Sequence, residues 1–140
     1  MFKMRVVFDT NIWISFLLGK KLSILKDVLM REDIRVYVSD ELLEEIIVVA
    51  NRPKFKRIIT AESLIALLEM VDAVCVRVDH YAKINSDVRD VDDIYLISMV
   101  ETISADYLVT GDKDLLVLIN QGQCKIITFA EFIKILEDMR

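Results

Sequence analysis

The sequence predicts an α/β domain built on a mainly parallel five-stranded sheet with helices on both faces. Two observations carry this expectation. Short apolar runs of strand length alternate with longer segments of helical periodicity, so each strand is followed by a connection long enough to cross over and start a parallel neighbour. No repeat, low-complexity tract or Gly/Ser-rich linker interrupts the pattern, so residues 1–140 are read as a single domain.

The elements follow in order. Met4 to Phe8 is an apolar β run, and Ile12 to about Glu32 reads as helical with a break near Gly19. Ile34 to Val38 is a second strand, after which Ser39 or Asp40 can cap a helix reaching Ala50. Pro53 marks a boundary before a new short turn of helix, because the residue preceding proline disfavours helical geometry. Thr60 offers an N-cap for "AESLIALLEMVDA", and Val74 to Val78 is a third strand. Lys83 to Arg89 is polar and loop-like, Asp92 to Ser104 reads as a helix, and Tyr107 to Val109 as a fourth strand. "GDKDLLVLIN" predicts a short helix ending near Gly122, and Lys125 to Ile127 is the fifth strand. Thr128 with Glu131 forms a capping box for the last helix.

Composition narrows the chemistry. No uninterrupted apolar run is longer than Ile46 to Ala50, far short of the roughly 20 residues a membrane span needs. "MFKMRVVF" passes directly into strand-like sequence without a separate apolar leader, so a soluble cytoplasmic protein is expected. Cys75 and Cys124 form no CxxC or zinc spacing, and His80 is the one histidine. Ser-His-Asp, Cys-His and histidine-rich metal sites therefore lack parts, and catalysis must lean on carboxylates. A net charge of -5 argues against broad electrostatic adhesion to nucleic acid, while excess acid is what a cation site adds to a small chain. The local basic stretch "NRPKFKR", Asn51 to Arg57, can meet phosphates or simply answer a helix dipole.

In open α/β sheets, ligands bind beyond the carboxyl ends of the strands where strand order reverses. Asp9 follows the first strand, and Asp112 follows the fourth after only Thr110 and Gly111. Gly111 is expected to allow a sharp turn, with Asp112 and Asp114 flanking Lys113 where the next helix begins. On the helix from Asp40, Leu42, Ile46 and Val49 form the apolar stripe, and Glu45 lies nearer to it than Glu41 or Glu44. "RDVDDIYLISMV" supplies Asp90, Asp92 and Asp93; one of them can cap the helix, which accounts for one acid and not three.

Two carboxylates about 5 Å apart at an effective dielectric of about 20 repel by roughly 3 kcal/mol, so several on one rim require protonation or a cation. With neither histidine nor paired thiolates in these motifs, an all-oxygen site for Mg²⁺ or Mn²⁺ is the chemical match.

"VVFDTNIW", "SDELLEEIIVVANRPKF", "RDVDDIYLISMV" and "ADYLVTGDKDLL", in this order and spacing, resemble the PIN-domain ribonucleases, especially the stand-alone VapC-like toxins of toxin-antitoxin pairs. The resemblance extends to the closing "KIITFAEFIKIL". It implies a Rossmann-like PIN fold and places the catalytic and metal-binding acids at Asp9, Glu45, Asp93 and Asp112, with Asp114 as a further acid. Asn11 and Thr110 match polar positions that orient the site. It further implies Mg²⁺ or Mn²⁺ dependence, hydrolysis of single-stranded RNA, homodimers, and an antitoxin that covers the acidic groove. Val91 and Phe129 stand where the family often has proline, which affects helix entry and leaves the acids in place.

Two other classes are weighed beside this one. A phosphotransfer domain also places an aspartate after its first strand, but the dehalogenase type needs a second acid where Asn11 stands. A receiver-type domain finds only Ser39 and Asp40 after its central strand, both suited to capping. A PIN-like module that binds RNA or protein without cutting would have no need to keep this set of costly acids.

Overall fold

A computed structural model describes residues 3–78, 94–117 and 120–139. Strand β1 spans Met4–Phe8, followed by helices α1 (Thr10–Leu18) and α2 (Leu22–Leu29) and strand β2 (Ile34–Val38). Helices α3 (Asp40–Ala50), α4 (Pro53–Lys56) and α5 (Ala61–Val74) lead to strand β3 (Val76–Arg77). Helix α6 (Ile94–Ile103), strand β4 (Tyr107–Val109), helix α7 (Lys113–Leu116), strands β5 (Asn120–Gln121) and β6 (Cys124–Ile127) and helix α8 (Phe129–Asp138) complete the order.

Local chemistry accounts for the helix starts. The Ser39 hydroxyl accepts from the Leu42 N–H, the Thr60 hydroxyl from the Ser63 N–H, and Thr128 with Glu131 forms the full capping box. The break near Gly19 is real, with α1 and α2 separated there, and Pro53 opens α4.

The sheet order is β3-β2-β1-β4-β6-β5. Five of these strands run parallel, as expected, and β5 joins the edge antiparallel to β6. This edge strand corrects one expectation: α7 stops at Leu116 instead of reaching toward Gly122. Gly122 adopts φ 63° in the turn between β5 and β6, a left-handed conformation that suits glycine and closes a hairpin. The third strand is also shorter than its apolar sequence implied. The loop over Lys83 to Arg89 and the beginning of the Asp92 helix lie outside the described residues.

Alternation along β1 sorts its side chains to the two faces. Val6 and Phe8 join Val36, Val38, Val109 and Ile127 under α1, α2, α3, α5 and α8. Val7 joins Leu108 and Ile126 under α6 and α7. Because β1 pairs with β2 on one side and β4 on the other, the chain reverses its direction of sheet growth at the β1/β4 seam. That seam is the expected ligand crevice.

Phe8 anchors the end of β1, with edge-on ring contacts to Trp13 at 5.3 Å and Phe132 at 5.7 Å. Replacing the fully buried Phe132 with alanine is expected to cost about 3–5 kcal/mol, read as a lowered denaturant midpoint in chemical unfolding.

Candidate active site

The ladder runs one residue beyond β1 and β4. The Asp9 N–H donates to the Val109 carbonyl at 2.9 Å and the Thr110 N–H to the Ile127 carbonyl at 2.9 Å. Since Phe8 pairs with Val109, the next residues on each strand, Asp9 and Thr110, lie side by side at the seam. The Thr110 hydroxyl donates to Asp9 Oδ2 at 2.7 Å and accepts from the Asp112 N–H at 3.0 Å. A hydroxyl has one proton, so the backbone of Asp112 fixes which way Thr110 points.

Asp9 is 5% exposed. Burial raises its carboxyl above the ordinary range, because the charged form loses hydration. The Thr110 hydroxyl and the Thr10 backbone N–H oppose that shift, and the negative charges of Glu45 and Asp112 add to it. Asp9 therefore feels both of the other acids electrostatically.

Glu45 reaches the site from α3, whose Leu42 and Ile46 are fully buried on either side of it. It is half-buried, and one of its carboxylate oxygens, Oε2, accepts from the Tyr95 hydroxyl on α6. The same hydroxyl lies 3.3 Å from Thr10 Oγ1 at the start of α1. Burial, and then the bond to Glu45, pushes the Tyr95 phenol well above its usual range, so it stays protonated. Sequence reasoning missed Tyr95 and Thr10. The available signal was a tyrosine on the buried side of a helix next to an acid motif, where a phenol needs a polar partner.

Asp112 caps α7, with Oδ1 accepting from the Asp114 N–H at 2.9 Å. Gly111 is not required for the turn: its φ is not left-handed, and an added Cβ meets no atom within 4 Å. Asp114 is exposed and contributes its backbone to this cap, while Asn11 is exposed on the first turn of α1 and makes no side-chain hydrogen bond among the described residues. Neither side chain is drawn into the bonded cluster. Asp90, Asp92 and Asp93, and with them the choice between Asp92 and Asp93, lie outside the described residues, as does His80.

Other chemistry is remote. Burial pushes the Cys75 and Cys124 thiols up to about 12, which keeps them protonated and weakly nucleophilic. Arg52, Lys54, Lys56 and Arg57 are exposed around α4, with Lys54 Nζ 4.7 Å from the Phe55 ring centre. Among the described residues no group of three or more His, Cys, Asp or Glu side chains closes a metal cage by itself, and no helix is long and apolar enough to cross a membrane.

The model of the PIN domain matches residues 5–114, a span that contains every candidate acid from Asp9 to Asp114. The chain belongs to the PIN-domain family. PIN domains are generally nucleases, and this PIN domain has the family's α/β fold. It is similar to a chain of VapBC2 from Rickettsia felis, seen in a crystal structure bound to a DNA fragment from their promoter, with 16% identity and TM-score 0.57, covering 88% of this chain and 97% of that one. It is also similar to the RRP44 PIN domain of T. brucei, with 11% identity and TM-score 0.56, covering 98% of this chain and 83% of that one. Comparison with curated proteins gives no significant match.

The raised carboxyl of Asp9 has a defined consequence for stability. An aspartate whose folded pKa lies above the unfolded value of 3.8 costs nothing below 3.8 and its full penalty above the raised value. In cation-free buffer at neutral pH, Asp9→Asn is expected to raise the thermal midpoint on the order of 3 °C. The gain shrinks to nothing as pH falls through the raised value toward 3.8, which a melting series from neutral to acid pH will read.

Proposed function

We propose that this chain is a metal-dependent ribonuclease, an endonuclease on single-stranded RNA, and the toxin of a toxin-antitoxin pair. The observation that carries the reading is the ionisable cluster at the β1/β4 seam: Asp9, held 5% exposed, carries the charges of Glu45 and Asp112 beside it. Three carboxylates with no lysine or arginine bound to them among the described residues are compensated by a cation or by protons. The donor set is all oxygen, which fits Mg²⁺ or Mn²⁺ and leaves room for the several waters such ions retain. Asp9, Glu45 and Asp112 would hold it, together with Asp93. Bound there, the cation supplies Lewis-acid polarisation of a phosphodiester and activation of water for in-line attack.

The chain's own residues do the rest. Thr110 orients Asp9, and the cap on α7 fixes the approach of Asp112. Lys113 and the basic residues around α4 offer contacts to the RNA backbone. Asn11, a polar residue that orients the site, and Asp114, a further acid, are both exposed and complete the proposed set. The toxin reading is supported by the fold match to a VapBC2 chain over nearly its full length. With it come an antitoxin that covers the acidic crevice, a homodimer, and action in the cytoplasm.

The test is incubation of the purified protein with a mixed-sequence single-stranded RNA in Mn²⁺ or in EDTA, beside Asp9→Asn and Glu45→Gln. Cleavage is expected only with metal, and each variant is expected to be slower by at least about 100-fold. Intact RNA in every lane, with no Mn²⁺-dependent thermal shift, would transfer the reading to a non-catalytic RNA- or protein-binding module.

A further inference from the structure

We infer that Tyr95 is a positioning residue for the cleavage reaction: its hydroxyl orients the Glu45 carboxylate, and its ring holds that hydroxyl in place. The inference rests on the ribonuclease reading above. The described acids are oriented in different ways. Asp9 directly follows β1 and takes the Thr110 hydroxyl, and Asp112 takes the Asp114 N–H in the cap of α7, so both are short side chains tied close to the sheet edge. Glu45 is longer, projects from a helix, and has several rotatable bonds to fix. No lysine or arginine pairs with it among the described residues, and the donor that meets its Oε2 is the Tyr95 hydroxyl.

Tyr95 is itself held from two sides. The phenol has a single proton and gives it to Glu45, so the Thr10 hydroxyl donates to Tyr95 Oη across 3.3 Å. Thr10 is buried at the first position of α1, next to Asp9. The ring packs against both apolar clusters, the one that holds Leu42 and Ile46 beside Glu45 and the one that holds Leu96, Ile97 and Met99 of α6. Among the described residues it is the one partly buried side chain common to the two clusters. The hydroxyl pair therefore links α1, α3 and α6 at a point where a small displacement of a carboxylate costs rate. In this role Tyr95 acts through Glu45 and makes no contact with RNA.

The experiment uses the whole chain and has two arms. In EDTA, chemical unfolding of the wild type, Tyr95→Phe, Glu45→Ala and the double variant measures the coupling between the two side chains, expected to be about 10-fold in the unfolding equilibrium constant. In Mn²⁺, steady-state cleavage of a short mixed-sequence single-stranded RNA carrying a fluorophore and a quencher compares the wild type with Tyr95→Phe, below the melting temperature of each. Phenylalanine keeps the ring and its packing, so kcat is expected to fall by about 10-fold with KM within about 2-fold. Thr10→Val, which deletes the donor behind the phenol and keeps the shape, is expected to lower kcat by a smaller factor. Unchanged kcat in Tyr95→Phe would mean a merely structural tyrosine and would overturn the inference, as would an absence of coupling. A raised KM with kcat unchanged would mean that the phenol meets RNA directly, which also overturns it. A wild type that leaves the RNA intact overturns the ribonuclease reading, and the positioning role with it, whatever the coupling.

Discussion

The structure turns on a carboxylate that the sheet does not allow to leave. Val6, Val7 and Phe8 are fully buried, which makes β1 a central strand, and the next residue arrives at the sheet edge already surrounded. The Trp13 indole N–H donates to the Phe8 carbonyl at 3.2 Å, and the Asp9 N–H is spent on Val109. The backbone of Asp9 is therefore fixed before its side chain has found a partner. An ionised group in such a place loses several kcal/mol of hydration unless donors or opposite charge replace it. Thr110 supplies one donor because parallel register sets it beside Asp9, and the further acids add charge of the same sign. Those acids deepen the deficit, which is the physical reason to look for a cation.

Much of this architecture was legible because its signals are local. Ser39, Thr60 and Thr128 announce helix starts through hydrogen bonds that span three residues, and short apolar runs announce parallel strands buried on both faces. The helix expected from "GDKDLLVLIN" stops at Leu116 because Asn120 and Gln121 pair antiparallel with β6, and the left-handed Gly122 closes that hairpin, a pairing no local periodicity announces. Asp9 and Asp112 were legible from topology, and Glu45 from its place beside the Leu42–Ile46 stripe. Thr110 came only through family resemblance. For Tyr95 the sequence holds only the signal of a phenol on the buried side of a helix, since periodicity says nothing of a partner 50 residues away on another helix.

Capping and ligation, which compete as explanations for Asp112 in the sequence, are compatible in the structure. An aspartate has two oxygens, and the cap on α7 uses one of them. What separates a site acid from a structural one is the balance between its donors and its surroundings. Glu131 also serves a cap, but it is exposed to water and its carboxyl is lowered by the Thr128 backbone and hydroxyl donors. Asp33 is lowered likewise by Arg31, whose guanidinium meets it at 2.6 Å. Asp9 shifts the opposite way despite a good hydroxyl donor, because burial and like charges outweigh it. Asp33 and Glu131 are stabilised as anions by what touches them, whereas burial disfavours the anion of Asp9.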